Sequence, residues 1–420
     1  MERNLDWSRR DLLKSAATGA VALGLGAAAV DSMDRYVVGA SSGAAATAAM
    51  SLSDVRHSRI DLGEYGTLIS GVYSAGVRQS MLSRDDVAFV QPDRPLSPPP
   101  DPTGRGYRAP SGGPAADGSA DGGTMPWGID RVDADVAHEE GATGEGAHVG
   151  IVDGGIDDGH PDLRDNLADT DDDANHRAWE ECQGDDCTHP WSDDGDHGTH
   201  VSGTVAAADG DDGVVGVATG ATLHALKVCD QAGRCRTSSI ADAIRHAADQ
   251  GWDVLNISLG SPSESPALEA AGKYAADAGV LLVASAGNAG PCDDCVGYPA
   301  RYDEYVAVGA TTIDDELAEF SSTGPDVDLA APGQDVCSSV VGGHGVFDGT
   351  SMASPHVAGA AAQLVADGYT SEEARERLLE TAEDVGLGDD ESGHGFVDVA
   401  AALDMDSDDD GTGDGTGCPT

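Results

Sequence analysis

Five predominantly apolar runs, at residues 147–152, 222–229, 254–259, 280–285 and 305–310, alternate with stretches of helical character at 198–208, 238–250, 266–278, 351–366 and 371–381. A strand that is apolar on both faces belongs inside a layered domain, and helices between such strands supply the crossovers that a parallel sheet requires. The alternation predicts the α/β class, a doubly wound parallel sheet covered by helices. Ligands of such sheets lie at the carboxyl ends of the strands. The residues just past each run therefore decide what the chain can do.

Asp153 directly succeeds the first run, inside Val149-Gly150-Ile151-Val152-Asp153-Gly154-Gly155-Ile156-Asp157. His197 stands at the start of the first helix, in Asp196-His197-Gly198-Thr199-His200-Val201-Ser202-Gly203-Thr204. Ser351 opens another, in Gly349-Thr350-Ser351-Met352-Ala353-Ser354-Pro355-His356-Val357-Ala358-Gly359. Singly, each has an ordinary explanation as a turn residue, a helix-start residue or an N-cap. Together they are an acid, a base and a nucleophile. A serine hydroxyl needs an adjacent base near neutral pH, and His197 would take its proton while Asp153 fixes the imidazole tautomer. Pro355 falls early enough in its helix to be tolerated. The Ser351 amide and the positive helix end then face a developing oxyanion. His200 and His356 read as structural.

The three segments, in that order, resemble those of the subtilisin-type serine proteases, the subtilases. The resemblance spans residues 126–403 and implies a serine endopeptidase that works through an acyl-enzyme, without a catalytic cofactor. It implies further that Asn288, in Ala284-Ser285-Ala286-Gly287-Asn288, donates its amide to the oxyanion hole. Ser258-Leu259-Gly260 resembles the edge strand that pairs with an extended peptide. Ala286-Gly287 and Gly297-Tyr298-Pro299-Ala300 resemble the walls of the primary specificity pocket. Small walls, with the uncharged Ala289 beside them, lead us to expect large apolar or aromatic residues on the acyl side of the scissile bond. A narrow kexin-like processing protease is the rival within the class, kept open by Asp293 and Asp294. A non-catalytic peptide-binding scaffold is the rival outside it, and would lack a residue that this chain has. Asp162, in His160-Pro161-Asp162-Leu163, matches a family calcium ligand, and the loop at 209–214 with Asp211 resembles the segment completing that site. The family's glutamine ligand falls near Gly123, which has no side chain. Structural calcium is the expectation.

The remaining chain fits the same outline. Ser8-Arg9-Arg10-Asp11-Leu12-Leu13-Lys14 and the apolar stretch after it resemble a twin-arginine export signal at 1–30, with a cleavage site after Ala27-Ala28-Ala29. Residues 35–93 alternate as βαββαβ, the order of the ferredoxin-like, inhibitory prodomain of many subtilases. Their ending, Val87-Ala88-Phe89-Val90-Gln91-Pro92-Asp93, resembles the tail that lies in the active-site cleft. Residues 94–124, rich in Pro, Gly, Ser and Asp, read as a flexible linker holding the maturation site. The peptidase domain comes next at 125–403, and 404–420 reads as a disordered acidic tail.

The charge balance is extreme, with 75 acidic residues against 23 basic ones and a net charge of -52. Self-repulsion at this density destabilises a compact state in dilute salt, whereas molar salt shortens the screening length to about 3 Å. The composition suits a halophilic, secreted protein similar to the halolysins of haloarchaea, though without a long C-terminal extension. It argues against a nucleic-acid partner, and nothing beyond the signal is apolar enough to hold a membrane. Protein and peptide substrates, the chain's own prodomain as inhibitor and a monomeric state are expected. Eight cysteines in an exported chain permit disulfides. Cys182 with Cys187, Cys229 with Cys235 and Cys292 with Cys295 are close pairs, leaving Cys337 and Cys418. Zinc at Cys182, Cys187 and His189 is the alternative for the first pair.

Overall fold

The computed structural model describes residues 35–98, 124–184, 187–210, 213–405 and 417–419. Residues 1–30, expected as an export signal, and most of 94–124, expected as a linker, lie outside these residues.

All five apolar runs enter one seven-stranded parallel sheet. Its strands are β6 His148–Asp153, β7 Arg177–Ala178, β8 Thr222–Lys227, β10 Val254–Ile257, β11 Leu281–Ser285, β12 Tyr305–Thr311 and β13 Leu329–Pro332. They lie side by side in the order β13-β12-β11-β10-β6-β8-β7. Every residue of β10, β11 and β12 is buried, the burial that an apolar run without alternation requires. The five expected helices form at His197–Ala206, Thr237–Gln250, Pro266–Asp277, Thr350–Ala366 and Ser371–Glu380. Asp153, the last residue of β6, pairs in register with Lys227, the last of β8. The winding reverses between β6 and its other neighbour, β10, and this switch in chain order opens the crevice at the carboxyl end of β6 that holds the candidate site. An antiparallel hairpin, β14 Val336–Val340 with β15 Gly343–Phe347, delivers the chain to Ser351.

The N-terminal unit runs β1 Arg35–Ala40, helix Gly43–Leu52, β2 Val55–Asp61, β3 Thr67–Val72, helix Ala75–Leu82 and β4 Val87–Pro92. Its strands form an antiparallel sheet in the order β2-β3-β1-β4. Val37, Ile60, Leu62 and Leu68 are buried in one cluster with Ile240, Ile244 and Leu268 of the larger unit. Two side chains fix the docking by satisfying orphan amides at helix N-termini. Asp93 accepts from the Ser238 amide at 2.9 Å and from its hydroxyl at 2.8 Å. Gln91 accepts from the Ala267 amide and donates to Ser265.

The structure corrects three expectations. Val87–Pro92 does not enter the cleft, because its backbone is taken up by pairing with β1. The cleft segment begins at Arg94, inside the presumed linker: β5 Pro95–Leu96 pairs antiparallel with β9 Cys235–Arg236. Within 404–420, where 404–405 and 417–419 are described, Cys418 is bonded to Cys337. All eight cysteines are paired, the other bonds being 182–187, 229–235 and 292–295. Zinc binding by Cys182 and Cys187 is thereby removed, because a disulfide offers no thiolate.

Candidate active site

Asp153 ends β6 with 1% of its surface exposed. Its carboxylate meets His197 Nδ1 at 2.9 and 3.0 Å and accepts from the Gly154 amide at 2.6 Å. Glycines of the first two signatures meet here, and Gly198 of the second is a steric requirement. A methyl group on Gly198 would lie 2.2 Å from the Gly155 carbonyl, so the helix can approach the β6 turn only without one. Asp193 accepts from the Thr199 amide at 2.9 Å and its hydroxyl at 2.7 Å, closing the start of the same helix. Burial pulls the His197 pKa down, but the charge and hydrogen bond of Asp153, with Asp193 behind it, outweigh that, and the net shift is upward. Burial also pushes the Asp193 carboxyl up to about 6, against its bonds to Thr199 and Gly195.

Lys227 fixes the turn from below. One of only three lysines in the chain, it is fully buried and donates to the Gly154 carbonyl at 2.5 Å and to Asp194 at 2.6 Å. The ammonium thus joins the residue after Asp153 to the segment before His197.

Ser351 is the second residue of the helix Thr350–Ala366, where amides point outward without helical partners. Pro355 removes the amide that would bond the Ser351 carbonyl. The Ser258 hydroxyl donates to that carbonyl instead, at 3.0 Å. The hydrogen bond of the Ser351 hydroxyl runs back to the Ser258 carbonyl, 3.3 Å away. Asn288 is turned by Thr350, whose amide and hydroxyl both reach Asn288 Oδ1. A methyl group on Gly349 would sit 3.1 Å from Asn288 Nδ2 and 3.6 Å from the Ser351 amide nitrogen. Both donors border one small space that the glycine leaves open.

The expected substrate edge is occupied by the chain itself. Ser97 bridges Gly260 antiparallel, with the Gly260 amide donating to the Ser97 carbonyl at 3.3 Å. On the other side Thr237 donates its amide and hydroxyl to the Arg94 carbonyl. Residues 94–97 thus form a strand between two edges, with Leu96 buried in the cluster that holds Cys235, Ile240 and Leu259. Beside them Ala286 accepts from the Gly297 amide at 2.8 Å, and Gly287 takes a φ of 113° that favours glycine. Asp294, a candidate acid for a basic-residue pocket, is paired with Arg301 at 2.5 Å.

His200 and His356 are fully buried in the core. Burial lowers the His200 pKa to about 3 and that of His356 to about 4. His200 stacks on Phe347, and His356 bonds the Met352 carbonyl.

Asp211 lies outside the described residues. Asp162 is 7% exposed, and its Oδ2 meets His344 Nε2 at 2.8 Å, the Ser339 hydroxyl at 3.0 Å and the Val214 amide at 3.2 Å. Calcium takes six to eight oxygens. The neighbours of Oδ2 are hydrogen-bond donors and an imidazole, none of them a calcium ligand, whereas Oδ1 faces Gly213 of the loop at 209–214, whose residues 211 and 212 lie outside the described ones. No sequence reasoning pointed to His344, which lies 182 positions from Asp162 between two glycines.

The Subtilase family model matches residues 144–397. Among curated proteins, the chain is 39% identical over 284 residues to subtilisin from Bacillus pumilus, covering 66% of this chain and 98% of that one. Subtilisin Savinase from Lederbergia lenta is 41% identical over 283 residues, at 66% and 98% coverage. Subtilisin E from Bacillus subtilis is 39% identical over 284 residues, at 66% and 71%.

Proposed function

The chain belongs to the subtilase family of serine endopeptidases, and we propose that its nucleophile is Ser351, its general base His197 and its orienting carboxylate Asp153. Two observations carry this reading: the Asp153–His197 hydrogen bond at 2.9 Å, and the space at Gly349 bordered by the Ser351 amide and Asn288 Nδ2. Asp153 holds the proton on His197 Nδ1, which leaves Nε2 to accept from the serine. The Ser351 hydroxyl leaves its long bond to Ser258 and attacks the scissile carbonyl. The oxyanion that forms is met by the Ser351 amide, Asn288 Nδ2 and the positive helix end. His197 then protonates the leaving amine, and water releases the acyl group by the reverse sequence. Turnover of a peptide substrate that vanishes in Ser351→Ala supports this assignment; turnover that persists removes it.

The substrate is an extended peptide lying between Gly260 and Arg236, as residues 94–97 do here. Side chains on the acyl side meet the small walls at Ala286, Gly287 and Gly297, which favours large apolar residues. The pairing of Asp294 with Arg301 weighs against the narrow processing alternative. Residues 35–98 act as the intramolecular inhibitor, supported by the strand they add to the cleft. The enzyme is secreted through the twin-arginine route and works in high salt, for which the support is the signal-like N-terminus and the net charge of -52. None of the helices among the described residues is long and apolar enough to cross a membrane.

A further inference from the structure

We propose that His160, Asp162 and His344 form a binding site for a borderline divalent cation, zinc in particular, which ties the limb carrying Asp153 to the limb carrying Ser351. His160 and Asp162 lie on the turn after Asp153, whereas His344 lies on β15, whose end leads directly to Ser351. One ligand atom from each residue falls within 4.8 Å of the others. His160 Nδ1 is 3.8 Å, and His344 Nε2 2.8 Å, from Asp162 Oδ2. Ligands at zinc's tetrahedral distances stand about 3.3 Å apart; these two separations differ from that by about half an ångström, and the third, between the imidazoles, lies within 4.8 Å.

The surroundings are those of a ligand set. His160 Nε2 bonds the Gly343 carbonyl at 2.8 Å, which puts the ring proton there and the lone pair on Nδ1, facing Asp162. A ring nitrogen held by a backbone carbonyl is how ligating histidines are oriented. The present occupant of that lone pair is the Asp162 amide, a long contact at 3.2 Å. Ser339 and the Val214 amide hold the Asp162 carboxylate in place. His160 and Asp162 are 2% and 7% exposed, whereas the His344 side chain is 15% exposed. The exposure of His344 gives the ion a route in from solvent, which would supply water as a fourth ligand. Two imidazoles with one carboxylate suit zinc and disfavour calcium. Binding displaces the proton that His344 now shares with Asp162.

The competing explanation is a bare His344–Asp162 ion pair. His344→Gln separates the two, since glutamine still donates to Asp162 but removes the imidazole. The test uses tag-free full-length protein in a Ser351→Ala background, where autolysis does not disturb the melting curve. After chelator treatment, zinc and calcium are added separately, and bound metal and melting temperature are measured. The proposal expects one zinc per chain lost in His344→Gln, and a rise of about 3–5 °C at zinc 100-fold above its dissociation constant. X-ray absorption of the zinc form should find two imidazole nitrogens in the first shell. Equal zinc binding and an equal thermal shift in His344→Gln would overturn the site, as would stabilisation by calcium alone.

Discussion

Thr350 presents both its backbone N–H and its hydroxyl to Asn288 Oδ1, each at 2.9 Å. An amide whose oxygen is held twice has its orientation fixed before substrate arrives, and preorganised donors contribute most to oxyanion stabilisation. Asn288→Ala should lower kcat by about 10²–10³-fold, the cost of an oxyanion donor in subtilisin. Thr350→Val keeps the backbone bond and loses the hydroxyl, which also accepts from the Gly287 amide at 3.0 Å; the lost bond to Asn288 should cost about 3–10-fold in kcat. Steady-state kinetics of both variants, with KM little changed, test the assignment.

Gly349 guards the space next to these donors. Gly349→Ala puts a methyl 3.1 Å from Asn288 Nδ2, at a φ of 154° that side chains rarely adopt. The variant should lose kcat at least as severely as Asn288→Ala. Binding of an aldehyde transition-state analogue should weaken in parallel.

The acidic limb of the kcat/KM profile should inflect above the ordinary histidine value of 6.5, because the net effect of Asp153 and Asp193 raises the His197 pKa. A raised pKa keeps the imidazole protonated, and so inactive as a base, to higher pH. Asp193→Asn removes one of the raising charges, and its limb should move toward lower pH. Asp153→Asn should cost about 10⁴-fold in kcat through loss of the correct tautomer.

Buried neutral histidines set an acid limit on stability. Burial lowers the pKa of His200 and His224 to about 3. For a group whose folded pKa lies below its unfolded value of about 6.5, the stabilising contribution is complete above pH 6.5. That contribution falls away as the pH drops toward 3. His224 is stacked on Trp252 at 3.9 Å and bonds the Asn175 carbonyl. Calorimetry from pH 7 to 4 should show the melting temperature of His224→Gln falling less steeply than that of the wild-type chain.

Lys227→Met strips the counter-charge from Asp194, whose side chain is 6% exposed. Removing one member of a buried ion pair costs about 3–5 kcal/mol, which denaturant unfolding can measure. Activity should fall beyond the stability loss, because the Gly154 carbonyl beside Asp153 loses its anchor.

The central sheet is legible in the sequence because buried parallel strands are continuous apolar runs, and its five inner members carry that signal. Edge strands β7 and β13 carry too little of it, being two and four residues long. The triad candidates stand out through glycines that permit close approach, as Gly198 does against Gly155. Arg94–Ser97 resembles a linker because a strand held by hydrogen bonds to foreign edges needs no apolar periodicity of its own. Thr350, Lys227 and His344 take their roles from partners 62, 33 and 182 positions away. The Cys337–Cys418 bond closes over 81 positions. Such relationships exist only once the chain has folded.

The assignment of Ser351 and His197 is tested most directly by labelling the processed enzyme with a fluorophosphonate. Peptide mass mapping then locates the adduct in the wild-type chain and in His197→Ala. One adduct is predicted, on Ser351, formed quickly in the first protein and slowed by orders of magnitude in the second. An adduct on another residue, or labelling of Ser351 at an unchanged rate without His197, would contradict it.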